Sequence, residues 1–409
     1  MSLDLHLTAT QLEGAAASLR GVAGHRAVRL EAALAVLRSA DADALRARAE
    51  ASHRTLAFLP AEPVEPPGAT HAPPPAPADF AVVATDGSHI DVDRHLPLRC
   101  YLINTGGCQL VYGANPEATL FSSPRLATAD ADLYMTDDGD QTDSQPVEGA
   151  LLGLLRSVEE AHALADAVER APAHLPTMAL LDGTLVLWAL GGGGPPRGRY
   201  ADHARRRLLD DGLLAALDRL RGLTAERTVA VASYISLPNA TEVVNLLRLA
   251  LCDHDPLGDC RAHCRAIRPG DRRCDAVHGF TDRDLFASHL APGERSSLFG
   301  SRSPVVRDHY GDHRVHFYYL NVGDEVARVE VPAWVAQDAR LLGLTHALAL
   351  DSARRGAGYP VALQEAHEQA VISGADREAF RAMVERALEA ERLPVYTSQK
   401  QRSKRNRWV

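Results

Sequence analysis

The sequence predicts a mixed α/β fold with a helical N-terminal extension, and three observations carry that prediction. Short apolar runs of strand length stand at residues 80–85, 177–181 and 228–236. Longer segments of helical period, 147–170 and 201–222, lie between them, and such alternation builds a mixed sheet core flanked by helices. A proline-rich run over 60–79 sets this part off from an Ala-, Leu-, Arg- and Glu-rich start. The 409 residues suit one large domain or two ordinary ones.

In chain order, residues 1–59 place Leu30, Leu34 and Leu37 four and then three apart, with no proline from 5 until Pro60. That spacing predicts about two amphipathic helices. Residues 60–79 hold eight of the 24 prolines, including Pro73-Pro74-Pro75. Proline lacks a backbone donor and fixes φ, so an extended, semi-rigid linker is expected there. The main domain is expected from 80 to 393. It opens on a buried strand at Phe80 and a turn at Asp86-Gly87-Ser88. Tyr101-Leu102-Ile103 and Leu110-Val111-Tyr112 read as two strands, with Gly106-Gly107 as a hairpin signal between them. Residues 147–170 form one long helix, and 177–181 a second buried strand ending in Asp182-Gly183-Thr184. Residues 191–196 are a loop, 201–222 a helix and 228–236 a strand. Residues 314–320 and 325–332 pair as strands, and helices run from 333 to 393. The tail, 394–409, is basic: five Lys/Arg and no acid fall within 398–409.

Composition excludes some functions. Lys+Arg is 44 and Asp+Glu 53, a formal charge of -9, so bulk positive charge cannot hold nucleic acid and any contact must come from local patches. No apolar stretch reaches the ~18 residues of a membrane span. The start, Met1-Ser2-Leu3-Asp4, lacks the layout of a signal peptide. Six cysteines are too sparse for a disulfide scaffold, and a reducing cytoplasm is the expected location. Neither GxGxxG nor GxxxxGK[ST] occurs.

Two segments rhyme: the strands before Asp86-Gly87-Ser88 and Asp182-Gly183-Thr184 both end in Asp, Gly and a hydroxyl residue. Two such strands side by side would juxtapose two carboxylates, which repel unless a cation lies between them. Magnesium or manganese prefers such oxygen ligands. A third carboxylate can come from the helix over 147–170, as Glu159 or Glu160; helical phase favours Glu159, at the rim of the apolar face. Tyr359 and His367 stand eight residues apart around a helix opened by Pro360, a spacing suited to binding metal or positioning a phosphate. Cys252, Cys260, Cys264 and Cys274 fall within 23 residues, with His254 and His263 interleaved. That clustering suggests a structural zinc or an iron–sulfur cluster, although the spacing matches neither a zinc ribbon nor a ferredoxin run. Arg295 beside Ser296, and Arg302 between Ser301 and Ser303, suit phosphate contacts near Arg307. Arg328 and Glu330 share one face of a strand and are placed to pair.

Asp86-Gly87-Ser88, Leu181-Asp182-Gly183-Thr184, Ala327-Arg328-Val329-Glu330-Val331-Pro332 with Trp334, and Tyr359-Pro360 leading to His367 occur in this order. Together they resemble the NurA family of DNA nucleases over about residues 80 to 380. The resemblance implies a ribonuclease-H-like core, a homodimer, and a manganese-preferring (or magnesium-using) nuclease. Such an enzyme cuts single-stranded DNA, degrades DNA from 5′ ends, and works with a HerA-type hexameric ATPase in end resection. Carried over by position, the catalytic and metal-holding residues are Asp86, Asp182, Tyr359, His367 and a helix glutamate; Arg156-x-x-x-Glu160 resembles the family spacing, whereas phase favours Glu159. Arg295, Arg302 and Arg328 are the expected DNA contacts. A non-catalytic adaptor that guides DNA for the ATPase, a nuclease acting in defence against foreign DNA, and a ribonuclease or transposase-like enzyme are the competing readings, because one fold hosts many activities.

Overall fold

The computed structural model describes residues 4–92, 98–137, 140–191, 200, 202–254 and 257–393. The basic tail and most of the glycine run after Gly191 lie outside the described residues. The chain forms two compact units. The first comprises residues 1–73, 235–303 and 314–330; the second comprises 74–234, 304–313 and 331–409.

The second unit is built on five strands: β1 (Phe80–Ile90), β2 (Tyr101–Tyr112), β3 (Glu117–Ala127), β4 (Thr177–Asp182) and β5 (Val229–Ile235). Their order is β5-β4-β1-β2-β3. β1 runs parallel to β4, and β4 parallel to β5, while β1–β2 and β2–β3 are antiparallel. This is a mixed sheet, as predicted. The parallel strands are apolar almost throughout because both of their faces are covered: β1 is buried from Phe80 through Gly87.

Two local expectations are corrected. Asp86-Gly87-Ser88 is not a turn; β1 continues through it, pairing Asp86 with Gly106 and Ser88 with Asn104. Gly106-Gly107 is not a hairpin either, but the middle of β2. The glycines serve close approach. A Cβ on Gly106 would collide with the Gln369–Ala370 backbone of helix α2 (Val361–Ala370), and one on Gly107 would strike the Phe121 ring.

Helix α1 (Ala150–Arg170) packs against β1, β2 and β4 and also against the helical segment from Asp202 to Leu223. That segment includes a π-helical stretch, Arg206–Leu214. Covered on two sides, α1 buries a wide arc that includes Leu152, Leu164 and Ala167 besides the expected stripe.

The first unit confirms the N-terminal helices, at Leu5–Ser39 and Ala42–Ala51, each started by an aspartate (Asp4, Asp41) whose side chain caps a backbone N–H. Leu34 and Leu37 enter a core with Leu45, Val243, Leu247, Phe286, Phe299 and Phe317. The proline-rich segment expected as a linker is partly strand here. Glu62–Pro63 pairs with Phe299–Gly300, and Thr70–His71 with Arg295–Ser296. Strands Val315–Asn321 and Val326–Pro332 are neighbours, as their sequence pattern predicts.

Candidate functional site

β1 and β4 lie side by side in a register that sets Thr85 against Leu181, so Asp86, within β1, comes level with Asp182, the last residue of β4. Asp86 is 8 % exposed; its Oδ1 accepts from the Gly87 N–H at 2.7 Å and its Oδ2 stands 2.7 Å from His367 Nδ1. Asp182, the last residue of β4, accepts at Oδ1 from the Tyr359 hydroxyl at 3.1 Å. Tyr359 is held edge-on against Tyr234, with ring centroids 5.6 Å apart.

Helix α2 brings His367 to Asp86 because its C-terminal carbonyls are clamped to the sheet. The Ser88 hydroxyl and Asn104 Nδ2 both donate to the Ala370 carbonyl, at 2.5 and 2.9 Å. Bare Gly106 lets the helix come that close. Tyr359 itself lies just before the helix, whose N-cap is Pro360.

The third carboxylate is Glu160, and the phase argument for Glu159 is corrected. Glu159 turns to β3 and pairs with Arg125 Nη2 at 2.9 Å. Glu160 is 3 % exposed, inside the arc that α1 buries between sheet and helix, and its backbone carbonyl accepts from the Thr85 hydroxyl at 3.0 Å. A phase drawn from one apolar stripe misses a helix buried on two sides. Arg156, one turn earlier, completes the cluster: its Nη1 donates to the Gly87 carbonyl at 2.6 Å and its Nε lies 3.3 Å from Glu160 Oε1. The i,i+4 spacing of Arg156 and Glu160 is the sequence signal for that contact.

The electrostatics are lopsided. Burial pushes the Glu160 carboxyl up to about 8; Arg156 opposes this, while the Asp86 and Asp182 charges add to it. Burial and then the Asp86 charge raise Asp182 as well, against hydrogen bonds from Tyr359 and the Gly183 backbone. Glu160 Oε1 is buried with no hydrogen-bond partner, because Arg156 Nε is near but poorly aligned. A Cβ on Gly87 would meet that same oxygen, so the bare glycine leaves room for the Glu160 carboxyl beside β1.

Three carboxylates, one with an orphaned acceptor, are a donor set suited to a hard divalent cation. As placed, no three His, Cys, Asp or Glu side chains among the described residues converge on a single-ion position.

A family model for the NurA domain matches residues 80–372. The chain belongs to the NurA family. The matched span contains Asp86, Glu160, Asp182, Tyr359 and His367, and NurA membership carries a nuclease-related function. No curated protein matches the chain. Among the described residues no helix is long and apolar enough to cross a membrane.

The other expected site residues are placed elsewhere. Arg295, Arg302 and Arg328 are 7, 4 and 2 % exposed, all in the first unit. Arg295 pairs with Glu65 at 3.1 Å and Arg302 with Glu50 at 2.8 Å. Arg328 bridges Glu242 and Glu330, at 2.5 and 2.8 Å, with its guanidinium 3.6 Å from the Phe317 ring centroid. The expectation that they contact DNA is therefore corrected: buried and ion-paired, they present no guanidinium face to a phosphate. An arginine beside serines looks alike in sequence whether a carboxylate or a phosphate meets it. Cys252, Cys260, Cys264 and Cys274, all free thiols, also lie in the first unit.

Proposed function

We propose that this chain is a metal-dependent DNA nuclease, a phosphodiester hydrolase whose centre is Asp86, Asp182 and Glu160. The observation that carries the reading is that β1, β4 and α1 bring these three carboxylates close enough for Asp86 and Asp182 to act on Glu160, whose Oε1 is buried without a hydrogen bond.

Asp86, Asp182 and Glu160 would hold the divalent ion, manganese or magnesium. Such an ion, when bound, activates water and offsets charge on the phosphate and the leaving oxygen. The chain's own groups do the rest. Asp86 holds the His367 imidazole through Nδ1; with the proton placed on Nδ1, Nε2 is left to take up or deliver a proton. His367 is well placed to meet substrate because its side chain is 58 % exposed. Tyr359 orients Asp182 through its hydroxyl. Arg156 ties the helix carrying Glu160 to the backbone of β1.

Family membership supports the finer features of the reading. These are single-stranded endonuclease and 5′-3′ exonuclease activity on DNA strands and ends, a preference for manganese, homodimerisation, and action with a HerA-type hexameric ATPase in end resection.

The test is cleavage of end-labelled single-stranded DNA with manganese, magnesium or EDTA, wild type beside Asp86→Asn. Cleavage that needs metal and disappears in Asp86→Asn is expected. A fully active, metal-dependent Asp86→Asn protein would overturn the assignment.

A further inference from the structure

Among the described residues of 251–281 the only helical pieces are two short ones, Cys260–His263 and Arg273–Val277, and residues 265–271 are all exposed. A stretch this long with so little apolar burial needs a tie beyond packing. The fold supplies the components of one. Cys260, Cys264 and Cys274 line a cavity of about 500 Å³ together with Phe58, Arg248, Arg261, Arg265 and Arg272. Cys252 stands just past the C-terminal end of the helix, Glu242–Ala250, that carries Arg248 to the same cavity. His254 and His263 stack with ring centroids 4.0 Å apart, fastening the two ends of the loop between Cys252 and Cys264.

The cavity wall is also short of acceptors. Nε of Arg248 and Nε of Arg272 are both buried with no hydrogen-bond partner. Arg248 is held in place by Phe58, 4.2 Å below its guanidinium, and by Asp275 at 3.6 Å. Orphaned donors in a native interior call for an acceptor. Four arginines around one cavity call for a group of net negative charge.

We propose that Cys252, Cys260, Cys264 and Cys274 ligate an iron–sulfur cluster that staples this segment. Four thiolates and bridging sulfides carry net negative charge and sulfur acceptors, which the Arg248 and Arg272 N–H groups match. Each thiol gives up its proton to solvent as it ligates iron. Size favours a cluster over one zinc ion. Zinc holds its thiolates at about 2.3 Å, a sphere far smaller than the space these cysteines line. A cluster spans more space and fills a cavity of about 500 Å³ better. The assignment is independent of the nuclease reading.

The experiment is metal and sulfide analysis of the full chain, purified without oxygen, then reconstituted with equal amounts of ferrous and ferric iron and with sulfide or, in a second arm, with zinc alone. About four iron and four sulfide per chain, with visible charge-transfer absorption, are expected. Cys264→Ser and Cys274→Ser should lose both signals, while Asp86→Asn keeps them. Stoichiometric zinc with no iron uptake overturns the cluster, and so does a chain that takes up no metal in either arm. Should the serine variants fail to fold, the iron and sulfide content of the wild-type chain decides by itself.

Discussion

The two units each bury a knot of charge, and the knots differ in how their carboxylates are held. In the first unit Arg328 hydrogen-bonds Glu242 and Glu330, and Asp282 accepts from two backbone N–H groups and the Tyr319 hydroxyl. The atom left over there is a donor, Nη2 of Arg328. In the second unit Asp86 meets His367, Asp182 meets the Tyr359 hydroxyl, and Glu160 lies beside Arg156 with both Glu160 Oε1 and Arg156 Nε lacking a hydrogen bond. Buried charge by itself therefore does not mark a functional site. A carboxylate set without enough donors marks a place for a cation; a carboxylate set gripped by its own arginine is architecture.

Substitution in the two knots should give opposite results. Asp86→Asn, Asp182→Asn and Glu160→Gln should each lower metal-dependent cleavage by on the order of 10³-fold, the size expected for loss of a group that stabilises transition-state charge. Asp86→Asn and Asp182→Asn should keep or raise the melting temperature, because each removes a like charge, and Glu160→Gln, which replaces a carboxyl protonated near neutral pH, should leave it near wild type. Parallel cleavage and thermal-unfolding series check this, and an unstable yet active Glu160→Gln would erase the distinction. Arg328→Met should do the reverse: urea titration should show a loss of about 3–5 kcal/mol, since Glu242 and Glu330 would be left uncompensated. Its cleavage, measured well below the unfolding transition, should stay near wild type.

Smaller effects sharpen the contrast. Tyr359→Phe removes the hydroxyl on Asp182 and should cost about 10- to 100-fold in metal affinity or rate, as loss of a group that orients a ligand does. Titration with manganese, read by cleavage, separates the two. The pH dependence has a definite sign. Below about 8 the Glu160 carboxyl keeps its proton, and a cation must displace it. Affinity for manganese should thus climb with pH up to that point, by at most about tenfold per unit. Glu160→Gln should flatten the climb. Without metal the folded state favours protonated Glu160, so that contribution to stability is complete near the ordinary value of 4.5 and is lost as pH rises toward 8. Thermal unfolding in EDTA across that range measures it.

Much of this was legible in the residue order. Apolar runs ending in Asp-Gly announced two strand ends; β4 does end at Asp182, whereas β1 runs on to Ile90, and the parallel register that sets Thr85 against Leu181 brings Asp86 level with Asp182. Leu34 and Leu37 announced a helix with one buried face, which they occupy. Tyr359 and His367 announced a shared neighbourhood, which they have with Asp182 and Asp86.

Less could be read where two distant segments meet. Gly106-Gly107 looks like a turn until helix α2 is laid across it, because glycine frees a chain to bend and equally frees a partner to approach. Arg295, Arg302 and Arg328 look like phosphate ligands until Glu65, Glu50, Glu62, Glu242 and Glu330 arrive from elsewhere in the chain. Glu159 and Glu160 are neighbours on one helix, and only the second packed layer decides that Glu160 turns inward. Periodicity within a segment records which of its faces avoids water. It does not record what that face will meet, since the partner is brought there by strand pairing and helix packing over many tens of residues.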